Sequence, residues 1–258
     1  MNQTKLPGLI LGLLVAPALS WATEPDANRA KAMAEIRRVG GDFKVDENGP
    51  GKPVIGIYFF PPDADDPNPT DATLVHLKEF KELQVLWILS TIKITDAGLV
   101  HLEGLTNLQE LNVGNTEVTG DGLAHLKGLS ELRRLYLEGA SGVTDAGLAH
   151  LKGLTKLDEL DLFLTKVTDA GLANLAGLTQ LRRLDLRAAK VTDAGLAHLK
   201  ALNQLQWLNL DRTQVTDAGL AHLRGLTKLQ TLDLQRTKVT DAGVKGLQEA
   251  LPKCDILH

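Results

Sequence analysis

Six histidines, His76, His101, His125, His150, His198 and His222, each stand just before a leucine and recur in one register, with Asn174 interrupting the series. In a stacked repeat, neighbours in one register come within about 5 Å of each other, a spacing that raises the question of a metal. Because each imidazole occupies the same slot of a duplicated unit, the column reads instead as a repeated packing and hydrogen-bonding position on the outer side, and no metal is assigned. Protonating such a ladder should destabilise the fold below about pH 6.5 through like-charge repulsion. A second candidate is PPDADDPNP, where Asp63, Asp65, Asp66, Asn68 and Asp71 offer oxygens of the kind Ca²⁺ takes. That stretch lacks the glycine and terminal glutamate of an EF-hand, so it reads as a stiff, solvated rim loop. Asp161 and Asp185 suggest an acid/base couple, but outward residues on an open sheet face lack the desolvation that tunes such pairs. Gly98, Gly147, Gly171, Gly195 and Gly219 recur because the turn of the unit needs them, and no glycine-rich phosphate loop follows a strand. Cys254, the single thiol, takes a leucine slot near the end of the chain, as a small buried hydrophobe does, and one cysteine forms no disulfide framework. These residues indicate a non-catalytic chain with no cofactor.

The elements that must position them come from one unit, VTDAGLAHLKGLTKLDELDLFLTK at Val143 to Lys166, which recurs from about Ile94 to the C-terminus. Aligned threonines fall at Thr70, Thr95, Thr119, Thr144, Thr168, Thr192, Thr216 and Thr240, a spacing of 24 with one extra residue twice. Leu157, Leu160 and Leu162 fit a short strand, since successive strand side chains point to opposite faces. Val143, Leu148, Leu151 and Leu154 recur every three to five residues, which suits a short helix or 3₁₀ segment. Thr144 or Asp145 is placed to cap that segment. One strand and one helix cannot bury their own leucines, whereas stacked copies share a core and a curved parallel sheet.

The pattern L-x-x-L-x-L-x-x-T-x-V-T-D-A-G-L-x-x-L resembles the leucine-rich repeats, specifically the bacterial T-D-A-G-L type, over roughly Thr70 to Leu257. It is similar to the cysteine-containing repeats of F-box proteins, with Thr116, Thr165, Thr213 or Thr237 where those have Cys or Asn. The resemblance implies an α/β horseshoe with strands on its concave face and short helices on its convex face, used mostly for protein binding. It implies no reaction.

Residues 1–22, with Lys5, an apolar Leu6 to Leu19 and small residues at Ser20 and Ala22, read as a cleaved export signal, too short to span a membrane. The expected location is therefore extracytoplasmic, periplasmic or secreted, without stable membrane insertion. Residues 23–62 are expected to cap the open end of the solenoid with a helix (Ala32, Met33, Ile36 and Val39 forming its apolar stripe) and a hairpin turning at Asn48-Gly49. Residues 63–258 carry the repeats, with the acidic, proline-rich loop at 61–69 and a truncated last repeat at 241–258 whose edge is expected to be poorly covered. A net charge of −4 over 258 residues, 43% hydrophobic and 23% charged, lacks the basic footprint of a nucleic-acid binder.

Leucines are fixed by the fold, so the outward strand positions carry the information. One column runs Tyr58, Trp87, Asn112, Tyr136, Asp161, Asp185, Asn209, Asp233; the flanking ones run Gly56, Val85, Glu110, Arg134, Glu159, Arg183, Trp207, Thr231 and Phe60, Leu89, Gly114, Glu138, Phe163, Arg187, Asp211, Gln235. Aromatics make up 4% of the chain, yet most of them fall on this surface. Tyr58, Phe60, Trp87, Leu89, Tyr136, Phe163 and Trp207, with Asp161, Asp185, Arg187 and Asp233, are the expected contacts for a protein or peptide partner. The cap or the acidic loop could instead fold over the N-terminal aromatics. A cell-envelope glycan binder using the rings as stacking platforms is the alternative. A substrate-recognition role by the F-box resemblance leaves no room for an adaptor-binding helical module and conflicts with the export signal.

Overall fold

Leucine spacing sets the architecture, because each three-residue strand of the repeats contributes one inward side chain between two outward ones. The computed structural model describes residues 24–60, 68–89 and 93–258. The expected export signal and most of the acidic loop, Asp63, Asp65 and Asp66 included, lie outside the described residues. A single ten-stranded sheet runs in sequence order: β1 (Gly41–Val45), β2 (Val54–Phe59), β3 (Val85–Ile88), β4 (Glu110–Asn112), β5 (Arg134–Tyr136), β6 (Glu159–Asp161), β7 (Arg183–Asp185), β8 (Trp207–Asn209), β9 (Thr231–Asp233) and β10 (Asp255–Leu257). β1 and β2 form the antiparallel hairpin, and every later neighbour pairs in parallel. The inward residues Ile57, Leu86, Leu111, Leu135, Leu160, Leu184, Leu208 and Leu232 stand opposite one another in register, each at most 1% exposed. Burying a leucine contributes about 1.5–3 kcal/mol, and no single copy has a second layer to bury it against, so the repeats are stable only as a stack.

A four-residue α-turn lies on the opposite wall of most units: α2 (Asp71–Leu74), α3 (Asp96–Leu99), α4 (Asp145–Leu148), α5 (Asp169–Leu172), α6 (Asp193–Leu196) and α7 (Asp217–Leu220). A 3₁₀ segment continues α2 to α6, and the unit between α3 and α4 has 3₁₀ alone, Gly122–Leu126. The hydroxyls of Thr95, Thr168, Thr192 and Thr216 cap their turns by accepting from the amide two residues on; that of Thr144 does not. The aspartate that follows each threonine does something different from the expected capping. Asp193 accepts from the amide of Thr216 at 2.7 Å and from its hydroxyl at 2.6 Å, one repeat away. Asp71, Asp96, Asp145, Asp169 and Asp217 repeat this pair of bonds on Thr95, Thr119, Thr168, Thr192 and Thr240. T-D is thus a rung between repeats, and Asp71 is engaged in that rung rather than in an oxygen cage.

The same rung corrects the reading of the glycines. Those of D-A-G-L are helical and do not have positive φ; a Cβ on Gly219 would stand 2.3 Å from Asp193 Oδ1, and one on Gly98, Gly171 or Gly195 would meet Asp71, Asp145 or Asp169 at 2.3–2.4 Å. They are needed for a carboxylate to pass, not for a turn. The ladder breaks once, where Gly120 stands in the aspartate position and its backbone packs on Gly147: a Cβ on Gly147 would lie 2.5 Å from the Gly120 Cα. The buried threonines Thr116, Thr165 and Thr213 donate to the carbonyls of Val113, Leu162 and Leu210 at 2.7 Å, so each hydroxyl is satisfied; Ala140 and Ala189 fill that slot in two other repeats.

Helix α1 (Glu24–Arg38) and the β1–β2 hairpin cover the N-terminal end, with Ala32, Ile36 and Val39 buried in the shared core and Met33 packed against it. The C-terminal end carries more regular structure than its sequence suggests, while β10 is the last strand of the sheet and its Leu257 stays 41% exposed. Helix α8 (Asp241–Ala250) is a full ten residues, Gln248 donates to the carbonyls of Leu251 and Cys254, and β10 pairs with β9. Pro252 precedes β10 and so removes no ladder donor. Cys254 is buried, and burial pushes its thiol up to about 11.

Candidate functional site

Parallel pairing lines up the outward residues. Tyr58, Trp87, Asn112, Tyr136, Asp161, Asp185, Asn209 and Asp233 stand opposite one another across β2 to β9, flanked by the column from Gly56 to Thr231. Two groups form along this face, and Asp233 on β9 borders the second, accepting from Asn209 Nδ2 at 3.4 Å.

The first group is at the N-terminal end. The Tyr58 ring stacks on Phe60 with centroids 6.1 Å apart and 5° between planes, and meets Trp87 edge-on at 5.7 Å. Phe60 is 51% exposed, while Tyr58, Trp87 and Leu89 are half-buried. Neither α1 nor the hairpin covers Phe60. Trp87 also anchors a polar contact, since its indole N–H donates at 2.6 Å to Glu110, a carboxylate 5% exposed that also accepts from Arg134 Nε at 2.7 Å. Burial, and then the charges of Glu110 and Asp42, raise the Tyr58 phenol above its ordinary range.

The second group spans β5 to β8. Here the rings are occupied: Arg187 lies 4.3 Å over Phe163 and Arg183 lies 4.5 Å over Trp207. Asp161, Asp185, Asn209 and Asp233 each accept from the amide two residues on, at 2.8–2.9 Å, so one oxygen of each already terminates its own strand. Arg187 Nε donates to Asp185 at 2.8 Å, Arg183 Nε to Glu159 at 3.1 Å, and Arg236 holds Asp211 from two nitrogens at 2.7 Å. Asp161 has no such cation among the described residues; burial, with Asp185 and Glu138 nearby, pushes its carboxyl up to about 6. Glu138 is raised by burial and by Asp185, against the pull of its own amide and Asn112. Its Oε2 is fully covered and has no hydrogen-bond donor, the carboxylate lying over the bare Cα of Gly114. Tyr136, half-buried beside Glu159 and Glu110, is raised far above the usual phenol range, chiefly by burial. A shallow recess of about 260 Å³ opens between β6 and β8, with Asp161 on its wall and Trp207 across from it.

Leu164 lies outside the three columns that spacing defines. It is 50% exposed at φ 56°, the left-handed region that a leucine rarely adopts, and it follows Phe163 at the end of β6. A large apolar side chain where the other repeats have Asn115, Gly139, Ala188, Arg212 or Arg236 is the signal the sequence offers for it.

The histidines lie half-buried on the helical wall; the ring Nδ1 of His125 is 2.7 Å from Glu103. No group of three or more histidine, cysteine or acidic side chains among the described residues is placed to hold a metal ion, and no helix there is long and apolar enough to cross a membrane.

A family model described as "Leucine Rich repeat" matches residues 104–126, 153–176 and 225–247, three copies of the unit that the strands and turns define. Those three segments match leucine-rich repeats. Among solved structures, this chain is similar to internalin C2 from Listeria monocytogenes, at 22% identity and a TM-score of 0.61 over 87% of this chain and 91% of that one. That likeness establishes the fold, an α/β horseshoe with its sheet on the concave wall. A plant peptide hormone receptor, RGFR1 in complex with RGF2, aligns at 16% identity and a TM-score of 0.49 over 71% of this chain and 29% of the receptor. No curated protein matches the chain.

Proposed function

We propose that this chain is an exported, non-catalytic interaction protein that binds a protein or peptide partner on its concave face. One observation carries the reading: Phe60 is held half in solvent by a stacked Tyr58, which is itself braced edge-on by Trp87. A pre-ordered aromatic edge of this kind loses little entropy when a partner covers it, and such residues supply one or more kcal/mol at interfaces. Leu164 and Phe163 offer a second apolar step farther along. Export rests on residues 1–22, the cap at 23–62 and repeats at 63–258 on the composition and period, and the T-D-A-G-L subtype on the recurring T-D rung. Asp185 and Asp233 serve this function by shaping the strand ends, and Asp161 by a carboxylate that holds no ion pair among the described residues.

A pull-down from cell-envelope extract with wild type, Phe60→Ala and Phe163→Ala tests the reading, with partners identified by mass spectrometry. Loss of the same protein band in both variants is expected. Retention of that band by both would remove the concave face from consideration, and loss of polysaccharide retention instead would favour a glycan ligand. The stacking-platform version of the glycan reading has less to work with than the sequence suggests, since Phe163 and Trp207 each already carry a guanidinium.

A further inference from the structure

We infer that the partner segment is extended, crosses the strands, and places one lysine or arginine side chain in the recess beside Asp161 while an apolar side chain covers Phe60; this rests on the binding reading above. The charges lining the recess are Glu159, Asp161, Asp185, Arg183 and Arg187. Arg183 is paired with Glu159 and Arg187 with Asp185; Arg187 also acts on Asp161 through space, but Asp161 is the one of the three acids without an ion pair of its own among the described residues. Elsewhere on the face the buried carboxylates hold an arginine each, Glu110 through Arg134 and Asp211 through Arg236. Glu138, which also acts on Asp161 through space, adds a further carboxylate without an ion pair among the described residues, with Oε2 covered and without a donor. A half-buried carboxylate that is hydrogen-bonded on one oxygen and has no direct ion pair is disfavoured by its surroundings, and an incoming cation relieves that cost with a charge-assisted hydrogen bond.

Geometry adds a spacing. Strands lie about 4.8 Å apart, so Trp87 on β3 is about 14 Å from Asp161 on β6, and Phe60 beyond β2 is about 19 Å away. At about 3.3 Å per residue, an extended chain covers this in roughly four to six residues. The recognised segment therefore carries an aromatic or aliphatic residue and a basic one that far apart.

A display library of random dodecapeptides, selected on the full chain, provides the test. Enriched sequences are expected to share that spacing. A selected peptide is expected to lose on the order of tenfold in affinity, by calorimetry, against Asp161→Asn, and to bind Phe60→Ala more weakly as well. Asp161→Asn is a benign probe, because Asn112 and Asn209 occupy the same column and make the same bond to the amide two residues on. Glu138→Gln serves as the second variant and should weaken binding in the same direction. Selected peptides that lack a basic residue and bind both charge variants like wild type overturn the inference. If those peptides still lose affinity for Phe60→Ala, the concave-face reading survives and only the cation is wrong; if they bind every variant equally, both fail. An absence of enrichment also overturns the inference, while the extract pull-down continues to decide the broader reading.

Discussion

Asp161 makes the face sensitive to pH in a direction opposite to the one the histidines of the helical wall suggest. Its folded-state value near 6 lies above the value of about 3.9 for an unfolded chain, so the folded protein holds the proton more tightly. That contribution to stability is fully present below about pH 4 and is lost as the pH rises through 6. Asp161→Asn should therefore be more stable than wild type at pH 7 by on the order of 1–3 kcal/mol and no more stable at pH 4. Urea unfolding at the two pH values checks this; equal stabilities at pH 7 would mean that the carboxylate is well solvated after all. The acid destabilisation expected of the histidine column meets a local obstacle. An imidazolium at His125 would face the Glu103 carboxylate at 2.7 Å rather than only a neighbouring imidazolium. Periodicity places the column, but the identity of each partner depends on residues outside the repeated positions.

Between repeats, the T-D rung converts a sequence signature into inter-unit hydrogen bonding. Asp193→Ala removes both bonds to Thr216 and should cost about 1–3 kcal/mol, read from the denaturant midpoint at unchanged slope. Gly120→Asp, which restores the consensus aspartate, should destabilise the fold all the same, because its Cβ would meet the Gly147 Cα at 2.9 Å and the Gly147 amide nitrogen at 3.0 Å. A stabilised Gly120→Asp protein would show that the backbone there yields more easily than its packing implies. These elements also show where sequence reading succeeds and stops. The leucine period, the strand register and all three outward columns follow from spacing alone, since a one-residue slip would turn the leucines outward. The role of the D-A-G glycine does not, because its reason lies one repeat away, in a carboxylate that passes over it. The occupied state of Phe163 and Trp207 is likewise hidden: a ring and an arginine in adjacent repeats announce neither stacking nor its geometry. Helix α8 is hard to foresee because DAGVKGLQEA departs from the unit and so reads as a remnant rather than a cap.

Across the whole molecule, stability is a sum of repeats and their junctions, and the ends decide whether the stack survives. Ile36 in α1 is fully buried against the same core as the repeats. Ile36→Ala should cost about 2–4 kcal/mol, and amide exchange should then rise first in the β1–β2 hairpin and β3. Uniform protection loss along all repeats would indicate that the cap and the solenoid melt as one unit. Several outward residues, Glu110, Asp185 and Asp211 among them, are buried in ion pairs of their own, and recognition is expected at the exposed edge around Phe60. The most direct measurement is photo-crosslinking in envelope extract from a benzoylphenylalanine placed at Phe60, compared with one at His150 on the helical wall. A partner adduct is expected from position 60, suppressed by excess partner-derived peptide, and none from position 150. Adducts arising from position 150 alone would move recognition to the helical wall and refute binding on the concave face.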